Sequence, residues 1–165
     1  MIFYTSIIKY KWCNGSYNTL TKYCTNSSYG YNGFVDNKTE LDPEDDAAYV
    51  NWGPTWRMPT KEQQDELREN CTWTWTRYNG VSCQLITGPN GNTLFLPAAG
   101  YRWGNDLYYT GSFGGYWSCT LSILCFDAGY EAFGEGRGEG LSVRAVRVSQ
   151  NIHIKHAIIS SAQAH

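Results

Sequence analysis

Cys71-Thr72-Trp73-Thr74-Trp75-Thr76 alternates aromatic and small polar side chains with period two, the spacing of a half-buried β-strand. It runs through the turn Tyr78-Asn79-Gly80 into Val81-Ser82-Cys83-Gln84-Leu85-Ile86-Thr87, a second strand. Gly88-Pro89-Asn90-Gly91 is a further turn, and Thr93 to Leu96 a third strand, which predicts an antiparallel meander. Upstream, Asp42-Pro43-Glu44-Asp45 reads as an N-cap, a proline at the first helical position and acids in the first turn, so a helix is expected from 43 to about Val50. Thr60-Lys61-Glu62-Gln63 is a capping-box pattern opening a polar helix over 61–70, with Leu67 its only aliphatic anchor. Leu141 to Val148 alternates and predicts a last strand. Its apolar Leu141, Val143 and Ala145 are out of phase with Val146 and Val148, so both faces should be partly covered.

The chain has 165 residues and 18.7 kDa, the length of one domain. A single domain is expected over 1–148, with a tail over 149–165. Seven Trp, 13 Tyr and 6 Phe make 16% of the chain, which excludes wholesale disorder. No apolar run reaches the roughly 18 residues that cross a bilayer, so no membrane insertion is expected. A net charge of −2 and a pI near 5.9 argue against nucleic acid as a partner. Richness in Tyr, Trp and Gly suits a binding surface better than an enzyme core.

The six Cys lie at 13, 24, 71, 83, 119 and 125, with no CxxC pair. Cys13 and Cys24 bracket a polar loop and either close it as a disulfide or remain thiols. The three His (153, 156 and 165) all fall in the tail, away from every Cys, which argues against a zinc site and against a Ser/His/Asp triad. The opening Met1-Ile2-Phe3-Tyr4 stretch lacks the marks of a signal peptide, and the natural start of the domain is expected to lie outside this sequence. Four Asn-x-Ser/Thr sequons, at Asn14, Asn26, Asn37 and Asn70, matter only in a eukaryotic secretory setting. Asp36 to Asp46 holds six acids and one Lys but lacks EF-hand spacing, and reads as a solvated loop plus an acidic helix start. Residues 101–140 hold more than half of the chain's 17 Gly and no Lys. Their aromatics fall in short irregular pieces, and such loops on a rigid scaffold are where recognition sites usually sit.

From Asn51 to Arg147 the sequence resembles the Fibrobacter succinogenes major paralogous domain family, related to the formylglycine-generating-enzyme-like branch of the C-type lectin fold. The matching pieces are Asn51-Trp52-Gly53, Trp56-Arg57-Met58-Pro59-Thr60, Phe95-Leu96-Pro97-Ala98-Ala99-Gly100-Tyr101-Arg102, Tyr116-Trp117-Ser118 and Gly140-Leu141-Ser142-Val143-Arg144-Ala145-Val146-Arg147. The resemblance implies an α+β, C-type-lectin-like fold: two short helices, a small antiparallel sheet and long Gly/aromatic-rich loops. It implies a bacterial cell-surface, extracellular or phage-particle setting. Some members are variable proteins of diversity-generating retroelements, rewritten between the Gly-Tyr-Arg piece and the last strand. Carried over, the display positions are Trp103, Asn105, Asp106, Tyr108, Tyr109, Phe113 and Gly115, followed by Cys119, Leu121, Ile123 and Asp127. Tyr101, Arg102, Tyr116, Trp117, Ser118, Arg137 and Arg144 are then scaffold. The family's opening strand has no counterpart, which leaves the last strand with an open edge unless residues 2–8 replace it. A hairpin between Trp117 and Arg137 is expected to be lost.

Two fates are open to Trp103, Tyr108, Tyr109 and Phe113: display to a ligand, or filling the underside of the Gly-rich loop. Trp73, Trp75 and Trp117 are assigned to the core. The expected function is non-enzymatic recognition of a protein or glycan on a target surface, without cofactor or metal. The alternatives are a structural surface or adhesin subunit, and a copper-dependent oxidase of the formylglycine-generating type with Cys119 and Cys125 as its copper pair.

Overall fold

Asp46 decides how the first half of the chain is laid down. The computed structural model describes residues 11–14, 19–103, 106–127 and 140–148. The candidate replacement strand at 2–8, Asn105, the stretch 128–139 with Arg137, and the tail lie outside the described residues. The stretch expected as one helix over 43–50 folds as two pieces. Pro43–Asp45 makes a 3-10 turn, and the helix α1 (Ala47–Trp52) starts afresh behind Asp46. The reason is the buried Asp46 carboxylate, which accepts the N–H groups of Ala48 and Tyr49 at 2.8 and 3.1 Å. An N-cap residue keeps an extended backbone, here φ −77 and ψ 112, and so separates what precedes it from the helix. The same carboxylate accepts the Met58 N–H at 2.9 Å, which ties α1 to the short strand β1 (Trp56–Arg57).

The helix α2 (Lys61–Asn70) forms where its capping box predicts. Thr60 Oγ1 accepts the Gln63 N–H, and Gln63 Oε1 accepts the Thr60 N–H at 3.1 Å. Leu67 is buried, contributing about 2 kcal/mol, and the opposite face is polar. The meander follows as β2 (Thr72–Tyr78), β3 (Val81–Thr87) and β4 (Thr93–Pro97), antiparallel and in that spatial order. Trp73 and Trp75 pack edge-on against Phe126, and the Trp73 indole donates to the Leu67 carbonyl at 3.1 Å.

Residues 101–127 are more regular than their composition suggests. They form two hairpins, β5 (Tyr101–Trp103) with β6 (Asp106–Tyr108), and β7 (Phe113–Trp117) with β8 (Ile123–Asp127). After Trp117 the chain turns and Ile123–Asp127 pairs along the whole of β7, while most of the stretch where a hairpin is expected to be lost, 128–137, lies outside the described residues. The predicted strand over 141–148 shrinks to β9 (Val146–Arg147). Before it, the chain bridges from one sheet to another, Gly140 to Arg102 and Ser142 to Tyr116, so Leu141, Ser142 and Val143 are all buried. β9 pairs on one side with β1, in the register Trp56↔Arg147. Thus the fold is mixed α+β, with two α-helices and several small antiparallel sheets among the described residues. One core lies between α2, β3, β4 and β8, around Leu67, Ile86, Leu96 and Phe126. A second joins Ala48, Met58, Cys119 and Val143, with Trp117 half-buried against it.

The loop over 19–38 is fastened by carboxylates. Asp36 accepts the N–H groups of Tyr23 and Cys24 at 2.8 and 2.9 Å. Cys24 is a buried thiol outside any disulfide, donating to the Asn26 carbonyl, so the Cys13–Cys24 closure is not made.

Candidate functional site

The β5–β6 hairpin gathers most of the aromatic candidates on one face. In its register Tyr101 stands opposite Tyr108 and Trp103 opposite Asp106, so these four side chains project the same way. Tyr101 is half-buried at the centre. The Tyr108 ring stacks on it at 5.6 Å and 25°, Tyr109 at 5.8 Å and 29°, and Phe113 meets it edge-on at 5.9 Å. Around this centre Trp103 is 53%, Tyr108 40% and Tyr109 64% exposed. Leu107, which the sequence reading did not single out, is exposed on the opposite face of the hairpin.

Tyr109 reaches its place through a left-handed backbone, φ +55, which a bulky side chain adopts only at a cost of about 1 kcal/mol. The turn after it holds it there. The N–H groups of Ser112 and Phe113 both donate to the Tyr109 carbonyl, at 3.1 and 3.0 Å, and the Ser112 hydroxyl adds a third bond. Gly111 N–H donates to the Ala98 carbonyl, and Gly100 N–H to that of Phe113, which ties the hairpin to β4 and β7. The result is an exposed aromatic surface that carries the Asp106 carboxylate.

The remaining candidates divide along β7 and β8. Asp127 pairs with Phe113 and so lies at the aromatic end. Ile123 pairs with Trp117 at the far end, about 13 Å away along the strands. Leu121 sits beyond it in a turn that serves the scaffold: Ser118 and Ser122 hydroxyls bond at 2.8 Å, and the Thr120 hydroxyl accepts the Lys61 N–H. Gly115 and Cys119 are buried and present nothing to a ligand. Gly115 lies against Leu141 and Phe113, and Cys119 N–H donates to the Pro59 carbonyl. Asn105 lies outside the described residues.

For copper chemistry, Cys119 is poorly prepared. Burial pushes its thiol up to about 12, and its Sγ lies 3.8 Å from Glu40 Oε1. Soft metals bind the thiolate, which this setting disfavours. Cys125 stands opposite Gly115 on β8. The acidic run is an exposed loop over 37–40 followed by an acidic helix start, as expected, but its carboxylates are engaged. Asp36 and Asp46 accept main-chain N–H groups, and Asp42, Glu44 and Asp45 converge on the Lys22 ammonium at 2.6, 3.8 and 2.6 Å. Burial opposes the charge on Asp45, but hydrogen bonds from Lys11, Lys22 and Tyr23 outweigh it and hold its pKa at about 2. The place a cation would take among these acids is held by lysine.

A second aromatic patch was not anticipated. Trp52 and Trp56 meet edge-on at 6.2 Å, beside exposed Tyr49 and Val50. Tyr49, Val50 and Trp52 come from α1, a helix of under two turns in which Ala48 is the buried residue. A cavity between Leu67, Leu96, Tyr116 and Val146 holds about 20 Å³, room for one water. Among the described residues no helix is long and apolar enough to cross a membrane. Comparison of the chain with family models, with curated proteins and with solved structures returned no match.

Proposed function

We propose that this protein is a non-enzymatic recognition domain of the C-type-lectin-like kind, and that its β5–β6 face binds a protein or glycan on a target surface. The observation that carries this reading is Tyr109: a large aromatic held in a strained backbone yet left 64% exposed, so neither burial nor local preference accounts for it. Stacked aromatics offer large contact area at low entropic cost, and Asp106 adds an acceptor for hydroxyl or amide donors. The binding face extends from Trp103 through Asp106, Tyr108, Tyr109 and Phe113 to Asp127. The resemblance in the sequence further supports a surface or phage-borne receptor whose 103–139 segment is diversified by a retroelement. Sequencing the locus across many cells of one source population tests that part. Substitutions should concentrate at exposed positions of the face, Trp103, Asp106, Tyr108 and Tyr109, and spare buried Gly115 and Cys119. An even spread along the chain would mean a fixed surface or adhesin subunit.

A further inference from the structure

We infer that two copies of this chain pair through β2, joining their three-stranded sheets into one continuous sheet across a twofold axis at Thr74. The strand β2 is the outer member of its sheet, bonded to β3 alone. Asn79 and Gly80 both have positive φ, +48 and +81, the two-residue turn that makes Tyr78 and Val81 a hydrogen-bonded pair. Counting back by twos, Thr76, Thr74 and Thr72 also bond to β3, while Cys71, Trp73, Trp75 and Arg77 turn their N–H and C=O groups outward. No backbone hydrogen bond among the described residues reaches those outward groups. Natural edge strands are commonly blunted by Lys, Pro, a bulge or a covering element. β2 has no Lys, Pro or bulge, and Arg77 is its one charge.

A second copy is the occupant that the strand's own sequence fits. Thr72-Trp73-Thr74-Trp75-Thr76 reads the same in both directions about Thr74, the symmetry that an isologous antiparallel contact demands. With Thr74 on the axis, Thr72 faces Thr76 and Trp73 faces Trp75 of the second copy. The facing Trp pairs are then outward-turned residues, so they exchange main-chain bonds, and Cys71 with Arg77 of the second copy does the same. No two like charges meet, since Arg77 faces a thiol. Cys71 is ready for this, with an extended backbone at φ −120 and ψ 154. Trp73 and Trp75 are half-buried against Phe126, and the facing pair covers what remains of them.

Thr74 is exposed and projects away from the Trp face, so a charge there leaves the monomer's contacts alone. On the axis, however, Thr74→Lys sets two ammonium groups directly opposite each other, and Thr74→Glu two carboxylates. The test is light scattering or sedimentation on the full chain through a dilution series. The wild type should move from 18.7 kDa to twice that mass as concentration rises. Each variant should dimerise about tenfold more weakly or worse, with unchanged circular dichroism, and an equal mixture of the two should recover the doubled mass. A wild type that stays monomeric at every concentration overturns the inference. So does a dimer that neither variant weakens, or two weakened variants whose mixture does not recover.

Discussion

Gly114→Ala is expected to destabilise the fold by about 3 kcal/mol, a large share of a small domain's stability. A Cβ at Gly114 would stand 2.2, 2.5 and 2.8 Å from three ring atoms of Phe126, its cross-strand partner. The ring has nowhere to retreat. Trp73 and Trp75 press on it edge-on at 6.0 and 6.4 Å, and Tyr116 stacks at 6.0 Å. Relief therefore requires β7 and β8 to part, or the Trp contacts to be given up. Gly115→Ala is the control. Its Cβ would meet the end of the Leu141 side chain at 2.8 Å and the Phe113 ring at 3.0 Å, less severe contacts that small shifts relieve. Urea denaturation of the two variants should rank them clearly. Equal, small losses would mean that Phe126 does not lie over Gly114.

Asp46→Ala should cost a comparable amount, about 3 kcal/mol, by a different route. The substitution strands three main-chain donors, those of Ala48, Tyr49 and Met58, and both Ala48 and Met58 are buried. It also loosens the second core, because Ala48 and Met58 pack there with Cys119 and Val143. Asp46→Asn keeps one acceptor oxygen and should lose markedly less. Thermal denaturation of the three proteins checks the order; an alanine variant as stable as the wild type would remove Asp46 from its central place in the fold.

Features set by neighbours in the sequence were legible there, and features set by distant contacts were not. The capping box at Thr60, the Asn79-Gly80 turn and the period-two run from Thr72 are local signals, and each became the element it announced. The split between Pro43–Asp45 and α1 follows from Asp46 capping Ala48 and Tyr49, and the Met58 N–H that also donates to this carboxylate comes from twelve residues on, a contact no local pattern carries. The two-residue strands β1 and β9 are too short to show periodicity and exist because each completes the other. Leu141 to Val143 alternate in sequence yet are all buried, because the chain there passes between sheets and is covered on both sides.

The candidate site was legible to a similar depth. The aromatics from Trp103 to Phe113 marked the segment, but composition leaves display and underside filling equally open; their exposure follows from the β5–β6 register, which short irregular pieces do not reveal. Which positions between Gly115 and Asp127 face outward was not legible. β7 lies in the interior, and Gly115 and Cys119 turn inward with it.

Binding by Tyr108→Ala/Tyr109→Ala tests the recognition face most directly. Wild type and double variant would be applied to a glycan array and to a panel of immobilised cell-surface proteins, with melting temperatures measured alongside. Trp52→Ala, in the other aromatic patch, serves as the comparison. The account predicts that the double variant loses binding at least about tenfold while its melting temperature stays close to the wild type's, and that Trp52→Ala binds normally. Undiminished binding by the double variant, or loss through Trp52→Ala instead, would contradict it.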